Sequence, residues 1–386
     1  MNILMLPSWY IPHGGKFVRN QVQTLQEQGL NVNILANNAL SMKLDKSKFL
    51  TYPWKSYVSM EDDILVYRYF QRNFPKLTKV NAMRWINQTI QLFEKYQKIY
   101  GKPNIIHAHT ALWAGYTACL IKQKYNIPYI ITEHYSNLSL TCDYAKKTIK
   151  QWHTIYYETA FSNANHIVPV SNIIQPKIES FLKQQVPITP ISNVLNTDYF
   201  HFKERKVGET IKFVATNGFY YQKGYDILIP AFDNACEVNT NLEITIVGEN
   251  FDTKGFEEIW NRVKHKNKFH FTGELTSDGV RNELWNANIF IIPSRVESQS
   301  VSTLEALSTG LPIIATTTIP TIMTTAENSI VVPVEDIEAM TVAILQMSKN
   351  FQNYDGKYIS KHIKSIAGKD SFTKEILTVY KQVLGE

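Results

Sequence analysis

Cysteine is scarce in this chain of 386 residues: there are three, Cys119, Cys142 and Cys236, with no Cys-x-x-Cys pair. An odd, dispersed set excludes a disulfide-stapled scaffold and points to a reducing, cytoplasmic compartment. No apolar run approaches the roughly 18 residues needed to cross a bilayer. The opening Ile3-Leu4-Met5-Leu6 before Pro7 carries neither a basic leader nor a small-residue cleavage site, so it is read as a first strand, not a signal peptide. No Gly-x-Gly-x-x-Gly follows the first strand of either half, which argues against a dinucleotide-dependent dehydrogenase. Asp-x-Asp is absent too, and with it the carboxylate pair that holds a metal under a nucleotide diphosphate. The acidic run Glu61-Asp62-Asp63 precedes a strand and reads as turn chemistry.

Acidic residues are thin in the first half. Residues 1–196 hold 21 Lys+Arg against 10 Asp+Glu, and the rest 19 against 24, for a formal net charge of +6. A basic half suits an anionic partner, such as a phosphate-bearing substrate or a membrane surface. A solvated basic face accounts for the same asymmetry, and both readings stand. Nucleic acid is not expected, because no nucleic-acid-binding motif accompanies the charge.

Hydrophobic residues make up 44% of the chain, enough for large cores, and the length suits two domains. Short β-branched runs alternate with helix-sized periodic stretches throughout. The first half predicts strands near residues 3–6, 32–36, 64–67, 105–108, 127–131, 167–170 and 189–193. The second predicts them near 211–215, 242–247, 268–272, 289–293, 311–315 and 330–332. Such alternation predicts an α/β protein of two doubly wound parallel sheets facing a cleft. Residues 1–200 form the first expected domain and 209–369 the second, with the polar stretch 201–210 as linker. Ligands belong beyond the carboxyl ends of the strands.

Four segments carry candidate chemistry. Ile289–Ala315 reads as a buried strand ending at Pro293, a polar loop with Glu297, a helix starting near Ser302, and Gly310 before a new strand. The helix start offers backbone N–H groups from about Val301 to Leu304 as an anion site. For Glu305, ligand contact and a capping box on Ser302 are equally open. Glu297 has no structural partner evident in sequence. The second segment, Asn217-Gly218 to Lys223-Gly224, puts a lysine at a helix start, able to neutralise a diphosphate. The third, Pro12-His-Gly14-Gly15-Lys16-Phe-Val-Arg19, offers backbone amides after the first strand. The fourth is Ile105-Ile-His107-Ala-His109 with Glu133-His134 after the next strand. His-x-His at a strand end also begins metal-hydrolase sites.

At the first of these segments the sequence resembles glycosyltransferase family 4, the retaining enzymes of the GT-B fold. The resemblance extends through His166-Ile-Val-Pro-Val-Ser171, Ile191-Ser-Asn193-Val-Leu-Asn196 and Phe271-Thr-Gly273-Glu274-Leu275, and so covers nearly the whole chain. It implies metal-independent transfer from a nucleotide-sugar donor to a glycan or lipid-linked acceptor in polysaccharide or glycoconjugate biosynthesis. The nucleotide-diphosphate sugar is a co-substrate, and no cofactor is expected. The second domain would bind the donor, the first the acceptor, and a C-terminal helix (370–386) would return to the first domain.

The resemblance assigns Glu297 to the transferred sugar and Glu305 to the ribose hydroxyls. Ser298, Gln299, Ser300 and Val301 would serve the sugar and diphosphate, Lys223 and Gly218 the diphosphate, and Glu274 and Leu275 the base. Gly14 and Gly15 would lie beside the donor, His109 near the reacting centre, and His134 and Arg19 on the acceptor side. Two departures stand out. Gly218 occupies a position where the family usually has arginine, and Gln299-Ser300 replaces Phe-Gly. A non-catalytic sugar-nucleotide-binding protein is the alternative that Gly218 keeps open, and a His-x-His metal hydrolase is the second.

Basic and aromatic residues mix from Lys43 to Lys102, including Trp54, Lys55, Arg68, Phe70, Arg72, Lys76, Lys79, Arg84 and Trp85, with Lys146, Lys147 and Lys150 beyond. Peripheral contact with an anionic membrane, at its inner face, is one expectation. Aromatics packed inside the domain with solvated charges is the other.

Overall fold

The computed structural model describes residues 1–42, 46–138, 150–206 and 208–386, which form two compact units. Lys43, Cys142, Lys146 and Lys147 lie outside the described residues. The first unit comprises Met1–Leu138, residues 150–194 and Phe372–Glu386; the second runs from Leu195 to Ser371.

The first unit holds β1 (Asn2–Pro7), β2 (Asn31–Ser41), β3 (Tyr57–Glu61), β4 (Ile64–Asn73), β5 (Ile105–His109), β6 (Tyr129–Glu133) and β7 (His166–Pro169), in the order β3-β4-β2-β1-β5-β6-β7. All neighbours are parallel except β3 and β4. The second unit holds β8 (Ile211–Thr216), β9 (Leu242–Val247), β10 (Phe269–Gly273), β11 (Ile289–Ile292), β12 (Ile313–Thr316) and β13 (Ser329–Val332). Its order is β10-β9-β8-β11-β12-β13, parallel throughout. β5, β6, β7, β11 and β12 are buried along their whole length because helices cover both sides of a parallel sheet. Strand order reverses between β1 and β5 in one sheet and between β8 and β11 in the other. These are the switch points where such sheets open a crevice at their carboxyl ends.

Three local features differ from the sequence reading. Residues 189–193 form no strand. Ile188 alone bridges to Ile167; Thr189 and Ile191 donate their N–H to Ile167 O and Pro169 O, but Pro169 has no N–H to return the next bond of the ladder. β3 adds an antiparallel edge through a tight turn at Asp62 and Asp63, whose φ values are 46° and 63°, so the acidic run is turn chemistry. β4 continues to Asn73, paired with β2 as far as Ser41, and near that end the buried Arg72 guanidinium donates to the carbonyls of Phe49, Pro53 and Phe70.

The last helix, Lys369–Leu384, buries Phe372, Ile376, Val379 and Tyr380 in one cluster with Ile3, Met5, Val18 and Val22. The second unit begins ahead of the polar stretch 201–210. Leu195 N–H donates to Ala367 O at 2.8 Å, and Leu195 and Phe200 pack in a cluster with Phe290 and Ile359.

Candidate functional site

In the second unit the loops after β8 and β11 meet at the switch point. Lys223 ends a short 3-10 turn, and Gly224, at φ 68°, precedes the helix Tyr225–Val238. A Cβ on Gly224 would lie 2.0 Å from the Pro293 carbonyl oxygen. Gly224 therefore admits the β11 loop. Arg295 fixes the contact. Its N–H donates to Gln222 O at 2.8 Å, and its guanidinium donates to Tyr221 O, to both Asp226 oxygens and to Glu335. It also sits 4.2 Å over the Tyr221 ring.

The loops held this way bring Lys223 Nζ to 2.7 Å from Glu297 Oε1, which also accepts from Ser294 Oγ at 2.8 Å. Glu297 is buried and does have structural partners, correcting the sequence reading that it had none. The pair is one cation and one carboxylate at the carboxyl end of a parallel sheet. A nucleoside diphosphate would compete with Glu297 for the lysine.

The helix Val301–Ser308 starts directly after this pair. Its N-cap is Ser300, whose Oγ accepts from Thr303 N, so Ser302 and Glu305 form no capping box. Ser300 takes φ 72°, the left-handed region glycine favours, and thus supplies the backbone bend despite its side chain. Asn217 Nδ2, past the end of β8, reaches Ser302 Oγ at 3.4 Å. Val301 is exposed and Glu305 half-buried on this helix, while Ser298, Gln299 and Ser300 precede it, the last two buried.

Gly218 lies against Glu249: an added Cβ would meet the Glu249 carbonyl oxygen at 2.9 Å and the Tyr220 ring at 2.8 Å. This position has no room for an arginine on the backbone as it stands. Glu274 and Leu275 follow β10, with Gly273 at φ 72° and Thr276 capping the helix Ser277–Asn286. They sit beyond β9, further from the switch point than Lys223 and Glu297.

In the first unit, Gly14 and Gly15 have φ values of 87° and 77°, and Gly15 is the N-cap of the helix Lys16–Glu27. A Cβ at Gly15 would strike Trp9 O at 2.7 Å, so glycine is required where the chain doubles back on β1. Arg19 is ion-paired with Asp62 in the β3–β4 turn. His107 is structural: its nitrogens face Tyr380 Oη and Thr132 Oγ1, both at 2.6 Å. His109, expected to face the sugar, is instead covered. Its Nδ1 lies 3.0 Å from His134 Nε2, its Nε2 faces Met5 Sδ at 3.4 Å, and its ring stacks on His107. His134 is partly exposed and rests on Phe17, with ring centroids 4.0 Å apart. Two ligands do not converge from His107 and His109, and no group of three metal-ligating side chains occurs among the described residues. A His-x-His hydrolase has no support here.

Burial lowers the pKa of His107 and His134 well below the usual histidine value and that of His109 to about 3. Burial conversely raises Glu133 to about 7, opposed by N–H donors from Ala111, Tyr135 and His134. Glu133 borders a cavity of about 430 Å³ at the carboxyl ends of β1, β5 and β6, walled by Trp9, Trp85, Trp113, Trp152 and Tyr157. The sequence named Glu133 only beside His134. A carboxylate ending the apolar strand Tyr129-Ile-Ile-Thr was the available signal. The latch role of Arg295 and the Ser294 contact were missed, since neither spacing nor periodicity encodes a bond to a distant loop.

These shifts give the first unit a signed pH dependence. Below the unfolded histidine value near 6.5, the unfolded chain takes up protons that the folded histidines refuse, so stability falls with pH. The loss is about 1.4 kcal/mol per pH unit per histidine. Glu133 offsets part of it, because below about 7 its folded form gains a proton that an unfolded glutamate takes up only near 4.5. Urea unfolding of the first unit, followed between neutral pH and about pH 5, should show a falling midpoint; a flat or rising one contradicts these protonation states.

Comparison with known proteins agrees with the geometry. The family model described as Glycosyltransferase Family 4 matches residues 14–199, and that described as Glycosyl transferases group 1 matches residues 209–350. The chain is 24% identical over 324 residues to the putative teichuronic acid biosynthesis glycosyltransferase TuaC of Bacillus subtilis, covering 80% of this chain and 78% of that protein. It is 25% identical over 319 residues to an uncharacterized glycosyltransferase of Methanocaldococcus jannaschii, covering 82% and 79%. The fold matches sucrose-phosphate synthase from Thermosynechococcus elongatus at TM-score 0.80 and 16% identity over 100% of both chains. It also matches Anabaena HepE, solved in complex with UDP, at TM-score 0.73 and 13% identity, over 99% of this chain and 100% of that one. With two family models in sequence along two parallel-sheet units, the chain belongs to glycosyltransferase family 4, the glycosyl transferases group 1 of GT-B fold.

Proposed function

We propose that this glycosyltransferase is a retaining enzyme that moves a sugar from a nucleoside-diphosphate sugar to a glycan or lipid-linked acceptor in the assembly of a polysaccharide or related glycoconjugate. The observation that carries this reading is the Lys223–Glu297 pair at the β8/β11 switch point, beside the open start of the helix Val301–Ser308. The teichuronic acid relative and the UDP-bound fold neighbour support a glycan product and a nucleotide donor.

In this mechanism Lys223 turns from Glu297 to the diphosphate, and the N–H groups of the helix start take the remaining phosphate oxygens. Glu297 then accepts hydrogen bonds from the transferred sugar, and Glu305 accepts from the ribose. The bond between the anomeric carbon and the phosphate oxygen breaks as the acceptor hydroxyl attacks from the same face. Its proton passes to the leaving phosphate oxygen. No divalent ion is assigned to these steps, since Lys223 and the amides stabilise the leaving charge. The first unit holds the acceptor, with the neutral His134 as its contact and His109 orienting it from behind.

Glu297→Gln should lower transfer at least about 100-fold. It should also bind the nucleoside diphosphate as tightly as the native protein or more so, because Lys223 is released from its ion pair. Turnover by mass spectrometry across a panel of nucleotide sugars, with calorimetry of the free diphosphate, measures both. A variant that keeps most of its turnover removes Glu297 from the mechanism.

Placing arginine at Gly218 should not improve the enzyme. The Glu249 carbonyl and the Tyr220 ring occupy the space of its Cβ, so Gly218→Arg should lower the melting temperature without tightening donor binding. Tighter binding at unchanged stability would show that the position accepts the charge after all.

A further inference from the structure

We infer that the first unit docks on an anionic membrane surface through the segment around the helix Lys46–Thr51 and the start of the helix Thr78–Tyr100. This goes beyond the transfer reading and stands independently of it. Nine of the nineteen large apolar side chains exposed among the described residues fall between Met42 and Met83. Leu50, Trp54, Phe74, Leu77, Val80 and Met83 make up most of them, with Trp54 62% and Leu50 73% exposed.

Packing gathers these side chains onto one region. Phe74 lies 6.1 Å from the Phe49 ring, next to Leu50. Trp54 sits 3.9 Å from the Arg72 guanidinium, which in turn donates to Phe49 O and Pro53 O. Arg84 reaches back over Phe74 at 5.4 Å and donates to Arg72 O. Lys76 precedes the helix, and Lys79, Val80 and Met83 are exposed in its first turns, with Lys79 Nζ 5.8 Å from the Trp152 ring, while Ala82, Trp85, Ile86 and Thr89 are buried.

Positive charge is concentrated on this surface. Residues 46–60 and 64–93 contain no aspartate or glutamate, while Lys46, Lys48, Lys55, Lys76 and Lys79 stand among the apolar side chains. Of the nearby acids, Glu61 pairs with Arg68 and Asp62 with Arg19, Asp63 lies in the β3–β4 turn, and Asp45 lies outside the described residues. Structure also sorts the sequence's broader set, because Arg68, Phe70, Arg72 and Trp85 are buried and belong to the fold. A surface that mixes exposed apolar groups, a tryptophan and lysines matches the headgroup layer of an anionic bilayer. A protein partner of this complementarity would need an acidic, apolar face. A nucleic acid would leave the apolar side chains without a use. The Thr78, Ala82 and Trp85 side of the same helix lines the cavity beside Glu133.

Sedimentation of the full chain with phosphatidylcholine vesicles, with and without about one-third phosphatidylglycerol, tests the inference at about 50 and about 500 mM salt. Binding should require the anionic lipid at low salt and weaken strongly at high salt. Reversing Lys55, Lys76 and Lys79 to glutamate should lower the partition constant about 100-fold, at roughly five-fold or more per charge. Reversing Lys95, Lys98 and Lys102 serves as the control, on the same helix or just past its end and about 24 Å or more beyond Lys79. That variant has the same net charge and should keep most of the binding. Trp54→Ala combined with Leu77→Ser should lower binding about ten-fold by removing apolar anchors. Circular dichroism and nucleotide affinity, unchanged in all three variants, exclude unfolding. No sedimentation with anionic vesicles at low salt overturns the inference. Equal loss in the two triple variants, or salt-sensitive capture of RNA without vesicle binding, does so too.

Discussion

The second unit's site depends on one close approach, the Pro293 carbonyl occupying the space a Cβ on Gly224 would need. Any side chain there would push the loops after β8 and β11 apart, and Lys223 would lose its 2.7 Å contact with Glu297. Arg295 holds the approach from the other side through a bidentate pair with Asp226 and a bond to Glu335. Its fork geometry satisfies several acceptors at once, which a flexible ammonium would not do. The sheet topology brings the two loops together, and these two residues set how close they come.

The electrostatics follow from that closeness. Lys223 and Glu297 neutralise one another at rest, which limits the cost of holding a carboxylate in a buried loop. In the proposed mechanism a competing phosphate would draw the lysine from Glu297, beside the start of the helix Val301–Ser308. Gly218 adds no second charge because Glu249 and Tyr220 fill its surroundings. The first unit follows the opposite policy. Its strand-end histidines are kept neutral by burial, and its carboxylate, Glu133, is drawn toward neutrality against three backbone donors. A neutral histidine can accept or donate a hydrogen bond to a sugar hydroxyl without attracting an ion.

Much of this architecture was legible in the sequence because parallel sheets are buried on both faces, and their strands read as continuous apolar runs. The helix starts and the Pro293–Gly310 segment were legible for similar local reasons. Edge and irregular segments were not. β3 alternates too weakly to be read alone, and residues 189–193 look like a strand although Pro169, in the neighbouring β7, has no N–H to donate to them. At the site, Glu297 and Lys223 could be singled out, yet their contact could not, since 74 positions separate them. Ser300 as N-cap and the covered ring of His109 depend on backbone angle and tertiary packing, which residue type does not report. The same holds for the surface of the first unit: composition could not distinguish Arg72 and Trp85, which are buried, from Lys79 and Trp54, which face outward.

The most direct test of the central claim is calorimetry of nucleoside diphosphates against the matching nucleosides, on the native chain and on Lys223→Ala. If the pair at the switch point is the diphosphate site, the diphosphate should bind at least about ten-fold more tightly than the nucleoside, and most of that advantage should disappear in the variant. An advantage that survives the loss of Lys223 undiminished would place the diphosphate elsewhere and contradict the account.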